Sequence, residues 1–468
     1  MISRSMEIPR LTHPEATSSG SRTIVAGIIF LGRRRPGFDM EWGRQMEHRV
    51  RNMLAGADFI AFEPPEKAVD DASLRQSLAA CQARGVDVII LLQTTMGDGR
   101  LAPTLAQLWP DPPLLWATPE NQQGDMISSC SLVGAHCWAS TLRQMGHGFE
   151  LIYGDPDNPE TQLQLGQAVR MAATVRRLRS VRLGSIGGQA PGYFAMNADP
   201  FSIHHGLHVQ LQTFSLMEFA DVVHGFSEQE VDADVEKVKA MGLRHKDTND
   251  GDLPMASRLY MAMRRFMDHE SLDALTVREW PEMPNTFGQW PYFGIARLVD
   301  EGRSVACEGD ADGALSAWIG ESLGMGRAYL SDWLEHDDST ITLWHGGAAP
   351  MSLCPPTGEP GAPLIARHFN IKKPAVIEAA LRVNMPVTVL RFWRCDGRYL
   401  LTARQGRTIK PRRDLMGTNA LAQIADQNPR EWFDQICHQG MPHHVVVFSG
   451  HHTEVLRRFA RIMNIQFV

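Results

Sequence analysis

The stretch SVACEGDADGALSAWIG, residues 304–320, reads as a short apolar strand, an acidic glycine turn and the start of a helix. Strand, tight turn and helix in that order form the unit of a parallel sheet covered by helices. The helix is expected over 311–324. In an open parallel sheet, the turn after a strand opens onto the crevice where ligands bind. Glu308 stands at that turn, and so does Asp310. First-turn acids also stabilise a helix N-terminus, which is the plainer reading of either residue.

The same unit recurs outward from this stretch. TIVAGIIF (23–30), DFIAFE (58–63), VDVIILL (86–92), PLLWA (113–117) and FELIYG (149–154) are continuous apolar runs. Segments with helical spacing, such as 68–84 and 133–145, separate them. LGSIGG (183–188), HVQLQTF (208–214), LDALTVREW (272–280) and RAYLSDW (327–333) continue the pattern, with helices over 228–242 and 254–268. From 339 the character changes. TITLWH (340–345), PVTVLRFW (386–393) and GRYLLTARQG (397–406) follow one another through Pro- and Gly-rich turns without long helices. The expected fold class is α/β: two Rossmann-like α/β domains (23–177 and 178–338), then a β-rich, barrel-like C-terminal domain (339–468) closed by a helix over 453–464. Residues 1–22 are polar and are read as a leader or an oligomer arm. No GxGxxG follows the first strand, so a dinucleotide site has no support.

At 468 residues the chain exceeds what one core serves, which agrees with several domains. A net charge of −7 argues against nucleic-acid and anionic-membrane partners. No run approaches the length of a membrane span. Seven cysteines (81, 130, 137, 307, 354, 395, 437), an odd number without a CxxC pair, fit a reducing cytoplasm better than disulfides or thiolate zinc.

Asp332 follows Glu308 by 24 residues (332 − 308), one strand–helix unit later. A crossover helix returning to the same sheet would turn both carboxylates to one crevice. Glu335, Asp337 and Asp338 read as a solvated acidic loop. His345 ends a strand before Gly346 and Gly347. In the terminal run PHHVVVF, alternation places His443 and His444 on opposite faces. A Glu, an Asp and one or two His form a hard-to-borderline donor set, suited to Mn²⁺, or to Mg²⁺ or Co²⁺. Such an ion polarises a carbonyl while a carboxylate moves the adjacent proton.

CEGDADGAL (307–315), LSDW (330–333), LWHGGAAP (343–350) and a terminal His-His, strand and helix together resemble the L-fucose isomerase and L-arabinose isomerase family. The resemblance covers most of the chain, including the domain order. It implies a metal-dependent aldose–ketose isomerase acting on a free sugar through a cis-enediol. Glu308, Asp332 and His444 would hold the metal, with His345 a further ligand or a substrate contact. Glu308 and Asp332 would be the catalytic acid–base pair. It further implies a trimeric or hexameric homo-oligomer whose first domain covers a neighbour's site. Gly32-Arg33-Arg34 resembles the L-fucose isomerase start, making Arg34 a substrate contact, although residues 35–40 depart from the pattern. Gln144 and His147 have the QxxH spacing of a substrate-contacting pair in arabinose isomerases. Gly346 stands where many relatives carry cysteine.

REWPEMPNTFGQWP (278–291) reads as a substrate-domain loop, with Trp280 and Trp290 as sugar-stacking candidates or as interface core. The sugar stays open between L-fucose- or D-arabinose-like substrates and 6-substituted hexoses such as sulfoquinovose. RTIKPRRD (407–414) is a basic stretch that could face an anionic substituent or simply solvent. A metal-dependent aldolase or epimerase would use the same enediolate. A non-catalytic sugar-binding protein would be expected to lack one of the two acids, and both are present.

Overall fold

The computed structural model describes residues 23–32, 38–123 and 125–468. The first sheet contains β1 (Val25–Leu31), β2 (Ile60–Phe62), β3 (Val88–Gln93), β4 (Leu114–Ala117) and β5 (Glu150–Tyr153). All run parallel in the order β2-β1-β3-β4-β5. Helices α1 (Met40–Leu54), α2 (Asp71–Arg84), α3 (Ala102–Leu108), α4 (Ser131–Gln144) and α5 (Pro159–Leu178) connect them. Along β1, Ile28 and Phe30 enter the core shared with α1 and α5, while Ile29 and Leu31 enter the core shared with α2, α3 and α4. A strand buried on both faces has no polar side, which is why it reads as one apolar run.

The second sheet is also parallel, in the order β10-β9-β6-β7. Its strands are β6 (Arg182–Ile186), β7 (Gln210–Phe214), β9 (Ala274–Val277) and β10 (Ser304–Ala306); the short β8 (Arg244–His245) pairs elsewhere. Helices α6 (Pro200–Leu207), α7 (Leu216–His224), α8 (Glu228–Ala240), α9 (Leu253–His269), α10 (Glu282–Phe287), α11 (Tyr292–Asp300) and α12 (Ala311–Ser322) fill the intervals.

The last sheet is built from β11 (Tyr329–His336), β12 (Thr340–His345), β13 (Leu364–Ala366), β14 (Val376–Ala380), β15 (Pro386–Cys395), β16 (Arg398–Ile409), β17 (Thr418–Ile424), β18 (His444–Ser449) and β19 (Gln466–Phe467). The strands β16-β15-β18-β11-β12-β17 neighbour one another in that order, and a further β16–β17 pairing closes them into an antiparallel barrel. Helices α13 (Pro429–His438) and α14 (Thr453–Met463) complete it. Leu315, Trp318 and Ile319 of α12 share a core with Leu390, Phe392 and Phe448 of the barrel. The crevice end of the second sheet is thereby pressed against the barrel wall.

One expectation is corrected here. RAYLSDW does not return to the parallel sheet after α12. It forms β11, antiparallel to both β12 and β18. Only three residues separate β11 from β12, so a hairpin forms at low loop entropy and outcompetes a crossover. Asp332 therefore reaches the crevice from the barrel, in register with His444 on one side and Trp344 on the other.

No described helix is long and apolar enough to cross a membrane.

Candidate active site

The crevice at the C-terminal ends of β6, β9 and β10 presents Glu308. Its backbone is left-handed (φ 60°), and Gly309 follows at φ 74°. A Cβ on Gly309 would lie 2.1 Å from the Gly188 carbonyl oxygen, so the loop after β6 can close on this turn only over a glycine. The Glu308 N–H donates to Glu279 Oε2 at 2.7 Å, and Tyr292 Oη donates to Glu279 Oε1 at 2.9 Å. Glu279 thus holds an uncommon backbone conformation in place. Burial, and then the charge of Glu308, raise the Glu279 carboxyl above the usual range.

Asp332, His444 and Trp344 are direct cross-strand neighbours, and such neighbours project to one face of a sheet. Asp332 and His444 accordingly converge on Glu308. His444 Nε2 lies 3.4 Å from Glu308 Oε2 and 3.5 Å from Asp332 Oδ1. His443 Nε2 stands at the same two distances, 3.4 and 3.5 Å. The expectation that the two histidines face opposite ways is therefore corrected. His443 precedes β18, so strand alternation does not govern it, and its ring lies 4.3 Å, centroid to centroid, from that of His444. Glu308, His443 and His444 form one group able to hold a metal; Asp332, His345 and His444 form another, each with donor atoms within 4.8 Å of one another.

Glu308 Oε2, Asp332 Oδ1 and His444 Nε2 are buried and have no hydrogen-bond partner. Leaving one such atom unsatisfied costs about 1–3 kcal/mol. Three that converge are a fit for a divalent cation, which would satisfy all of them at once. The donor chemistry agrees. Burial lowers the His345 pKa, which favours the neutral imidazole a ligand must be. Burial pushes the Cys307 thiol well up, so Cys307, 3.5 Å from His345 Nε2, offers no thiolate. Burial alone would raise Glu308, but His443 and His444 beside it hold the carboxyl well below its ordinary value.

Behind the crevice runs a fully buried chain of charges. His444 Nδ1 meets Asp310 Oδ2 at 2.9 Å, and Asp310 takes two hydrogen bonds of 2.6 Å from the Arg391 guanidinium. Asp310 also caps α12 by accepting from the Gly313 N–H. The helix-start reading of Asp310 is correct and incomplete, because its second oxygen orients the histidine.

A cavity of about 420 Å³ opens over these groups. Trp280, Trp290 and His345 line it together with Glu308 and Asp332, and so do Tyr193, Tyr292, His368 and His443. Trp290 is buried and stacks on Tyr292 with centroids 5.3 Å apart, whereas Trp280 is partly exposed. A larger cavity of about 760 Å³, between β16 and the segment before β19, holds no group of metal-ligating residues.

Not every candidate gathers here. Gln144 and His147 lie at the end of α4 and just beyond it, at the edge of the first sheet where β5 begins, opposite the strand ends that form a crevice. Both His147 ring nitrogens face backbone carbonyl oxygens, of Gly148 at 2.8 Å and Trp109 at 3.0 Å. The ring is engaged in joining two loops of its own chain, and neither residue of the pair lines the cavity beside Glu308. Arg34 lies outside the described residues. The acidic loop pairs with the basic stretch: Arg412 with Asp337, and Arg413 with Glu335 at 3.4 Å.

Reasoning from sequence missed Glu279, Tyr292, His368, Tyr193 and Arg391. Glu279 alone carried a signal, as an acid one residue beyond Arg278 at the end of an apolar strand.

Residues 378–468 match the family described as L-fucose isomerase, C-terminal domain. The chain is 24% identical over 444 residues to a sulfoquinovose isomerase of Priestia aryabhattai, covering 94% of this chain and 98% of that protein. It is 26% identical over 388 residues to a sulfoquinovose isomerase of Alkalicoccus urumqiensis, covering 82% and 86%. An L-arabinose isomerase of Arthrobacter sp. (strain FB24) matches at 26% over 227 residues, 45% of this chain and 43% of that protein. These matches all fall within the fucose/arabinose isomerase family, in agreement with the motifs.

Proposed function

We propose that this chain is an aldose–ketose isomerase that works on a free sugar through a cis-enediol and depends on a divalent cation, Mn²⁺ or else Mg²⁺ or Co²⁺. The observation that carries the proposal is the convergence of Glu308 Oε2, Asp332 Oδ1 and His444 Nε2, all buried and unpartnered, at the floor of an aromatic cavity.

Glu308, Asp332 and His444 would hold the cation, which would supply Lewis acidity to the sugar oxygens. The chain's own groups do the rest. Glu308 and Asp332, presented from two domains, carry one proton from a carbon to its neighbouring carbon and move another between the two oxygens, which is why two carboxylates are required. Glu279 and Tyr292 fix the Glu308 backbone, and Asp310 with Arg391 fixes the His444 ring. Trp280, Trp290 and Tyr292 offer faces to the C–H side of a sugar and exclude water.

The site is also proposed to be completed by a second copy of the chain, in a trimer or hexamer. At its lining Tyr193 and Trp280 are 38% and 37% exposed, and Phe194, next to Tyr193 in the chain, is 79% exposed, apolar surface suited to burial.

Purified protein with Mn²⁺ is assayed against a panel of aldoses, and the product is identified by mass and by reducing-sugar class. A ketose of equal mass is expected. Glu308→Gln and Asp332→Asn should each abolish its formation with the melting temperature little changed. An aldose epimer or a cleaved product would instead indicate the epimerase or aldolase reading, and full activity in excess chelator would refute metal dependence.

A further inference from the structure

On the isomerase reading, we infer that His368 determines specificity: its Nε2–H, left open because residue 346 has no side chain, donates a hydrogen bond to a sugar oxygen beyond the two at the reacting carbons.

His368 is 4% exposed and lines the cavity from the loop between β13 and β14. Packing fixes its ring. The Trp290 centroid lies 4.2 Å away, that of Phe369 4.5 Å and that of Tyr292 5.6 Å. The backbone fixes which way the ring is turned. The Asn370 N–H donates to Nδ1 at 3.3 Å, and the His368 N–H donates to the Lys373 carbonyl oxygen at 2.9 Å. A ring nitrogen that accepts carries no proton, so the proton of this imidazole sits on Nε2. Burial first, then His345 and Lys372, hold the pKa down to about 4, in agreement with a neutral ring at pH 7.

The Nε2 edge faces Gly346, which lines the same cavity. A Cβ at 346 would lie 2.9 Å from Nε2 and 3.3 Å from Cδ2 of His368. Any side chain there would cover the N–H or push the ring off its stack. Among the described residues, no group accepts from Nε2. His368 also belongs to neither group of metal-ligating residues. What remains is a fixed, neutral donor opening onto the cavity. Such a donor discriminates by what it lacks: a sugar with an oxygen at that point satisfies it, and a sugar without one leaves it unpaired.

The test takes the aldose of the activity panel with the highest kcat/KM, and its analogues lacking one hydroxyl beyond C2 at a time. Wild type, His368→Phe and His368→Gln are compared, each loaded with Mn²⁺. Phe keeps a ring against Trp290 and removes the N–H, whereas Gln can bring an N–H to the place of Nε2. His368→Phe should raise KM about five- to tenfold and change kcat less. One deoxy analogue should be about as much poorer than its parent with wild type, and no poorer with His368→Phe. His368→Gln should restore most of the difference. Melting temperature and Mn²⁺ affinity should agree among the three proteins. A ring that serves packing alone gives an unchanged KM in His368→Phe, or equal losses for every analogue in wild type and variant; either result overturns the inference. Binding of D-glucitol, an open-chain polyol, followed by tryptophan fluorescence, separates the two levels of argument. Protein that binds D-glucitol in a manner weakened by His368→Phe and restored by His368→Gln, but isomerises nothing, refutes the isomerase and supports the inference. Active protein indifferent to His368→Phe does the reverse.

Discussion

His444 Nδ1 lies 2.9 Å from Asp310 Oδ2, with neither side chain exposed, and this one contact turns the opposite ring nitrogen toward Glu308 and Asp332. The carboxylate is itself clamped by Arg391, so the orientation of the histidine depends on a charge pair that solvent does not reach.

Asp310→Asn should therefore act at two levels. Loss of the orienting charge should weaken metal binding about 10- to 100-fold. Arg391, left buried without its carboxylate, should cost about 3–5 kcal/mol of stability. Arg391→Met separates the two, because Asp310 still accepts from His444; stability should fall while metal affinity falls less. Metal titration by calorimetry and urea unfolding check both, and equal metal affinity in Asp310→Asn and wild type would contradict the assignment.

The paired histidines should differ in stability and agree in direction on metal. His444→Ala should nearly abolish metal uptake and destabilise the barrel. His443, with a side chain 41% exposed, should lower metal affinity when changed to Ala but shift stability by no more than about 0.5 kcal/mol. Unaltered metal content in His443→Ala would remove it from the ligand set.

Metal uptake at neutral pH should release about one proton. Burial by itself lowers the His444 pKa, but the hydrogen bond to Asp310 and the nearby charges of Glu308 and Asp310 outweigh it and raise the pKa to about 10 in the metal-free protein. Both ring nitrogens then carry protons at pH 7, and an ion at Nε2 must displace one. Affinity should rise with pH, by up to about tenfold per unit below that pKa. The linkage also has a sign for folding. The folded-state pKa lies above the ordinary 6.5, so this contribution to metal-free stability is complete below pH 6.5 and is lost as pH rises toward about 10. Calorimetry in buffers of different ionisation enthalpy counts the proton; a count of zero would contradict the picture.

If subunits share sites, two inactive variants should complement each other. Glu308→Gln loses the metal pair, and Arg34→Ala loses the side chain offered by a neighbour. Mixed after mild dissociation, they should recover part of the activity, because some sites then receive both intact halves. A monomer active in solution would exclude this assembly.

Local pattern alone determined the α/β class, the ends of the parallel strands and the place of Glu308 at one of them. Strands buried on both faces must be continuously apolar, and a glycine turn before a helix marks where the sheet opens, so these features are written within a few consecutive residues. The tertiary structure decided the rest. Asp332 sits on a strand whose apolar run fits a parallel or an antiparallel neighbour equally well, and only pairing with β12 and β18 set it opposite His444. His443 obeyed the loop before its strand rather than the strand itself. Arg391, inside a run that reads as barrel core, found its carboxylate 81 residues away in another domain. Periodicity reports that a residue is buried; which charge lies across from it depends on how distant segments pack, and no local spacing records that.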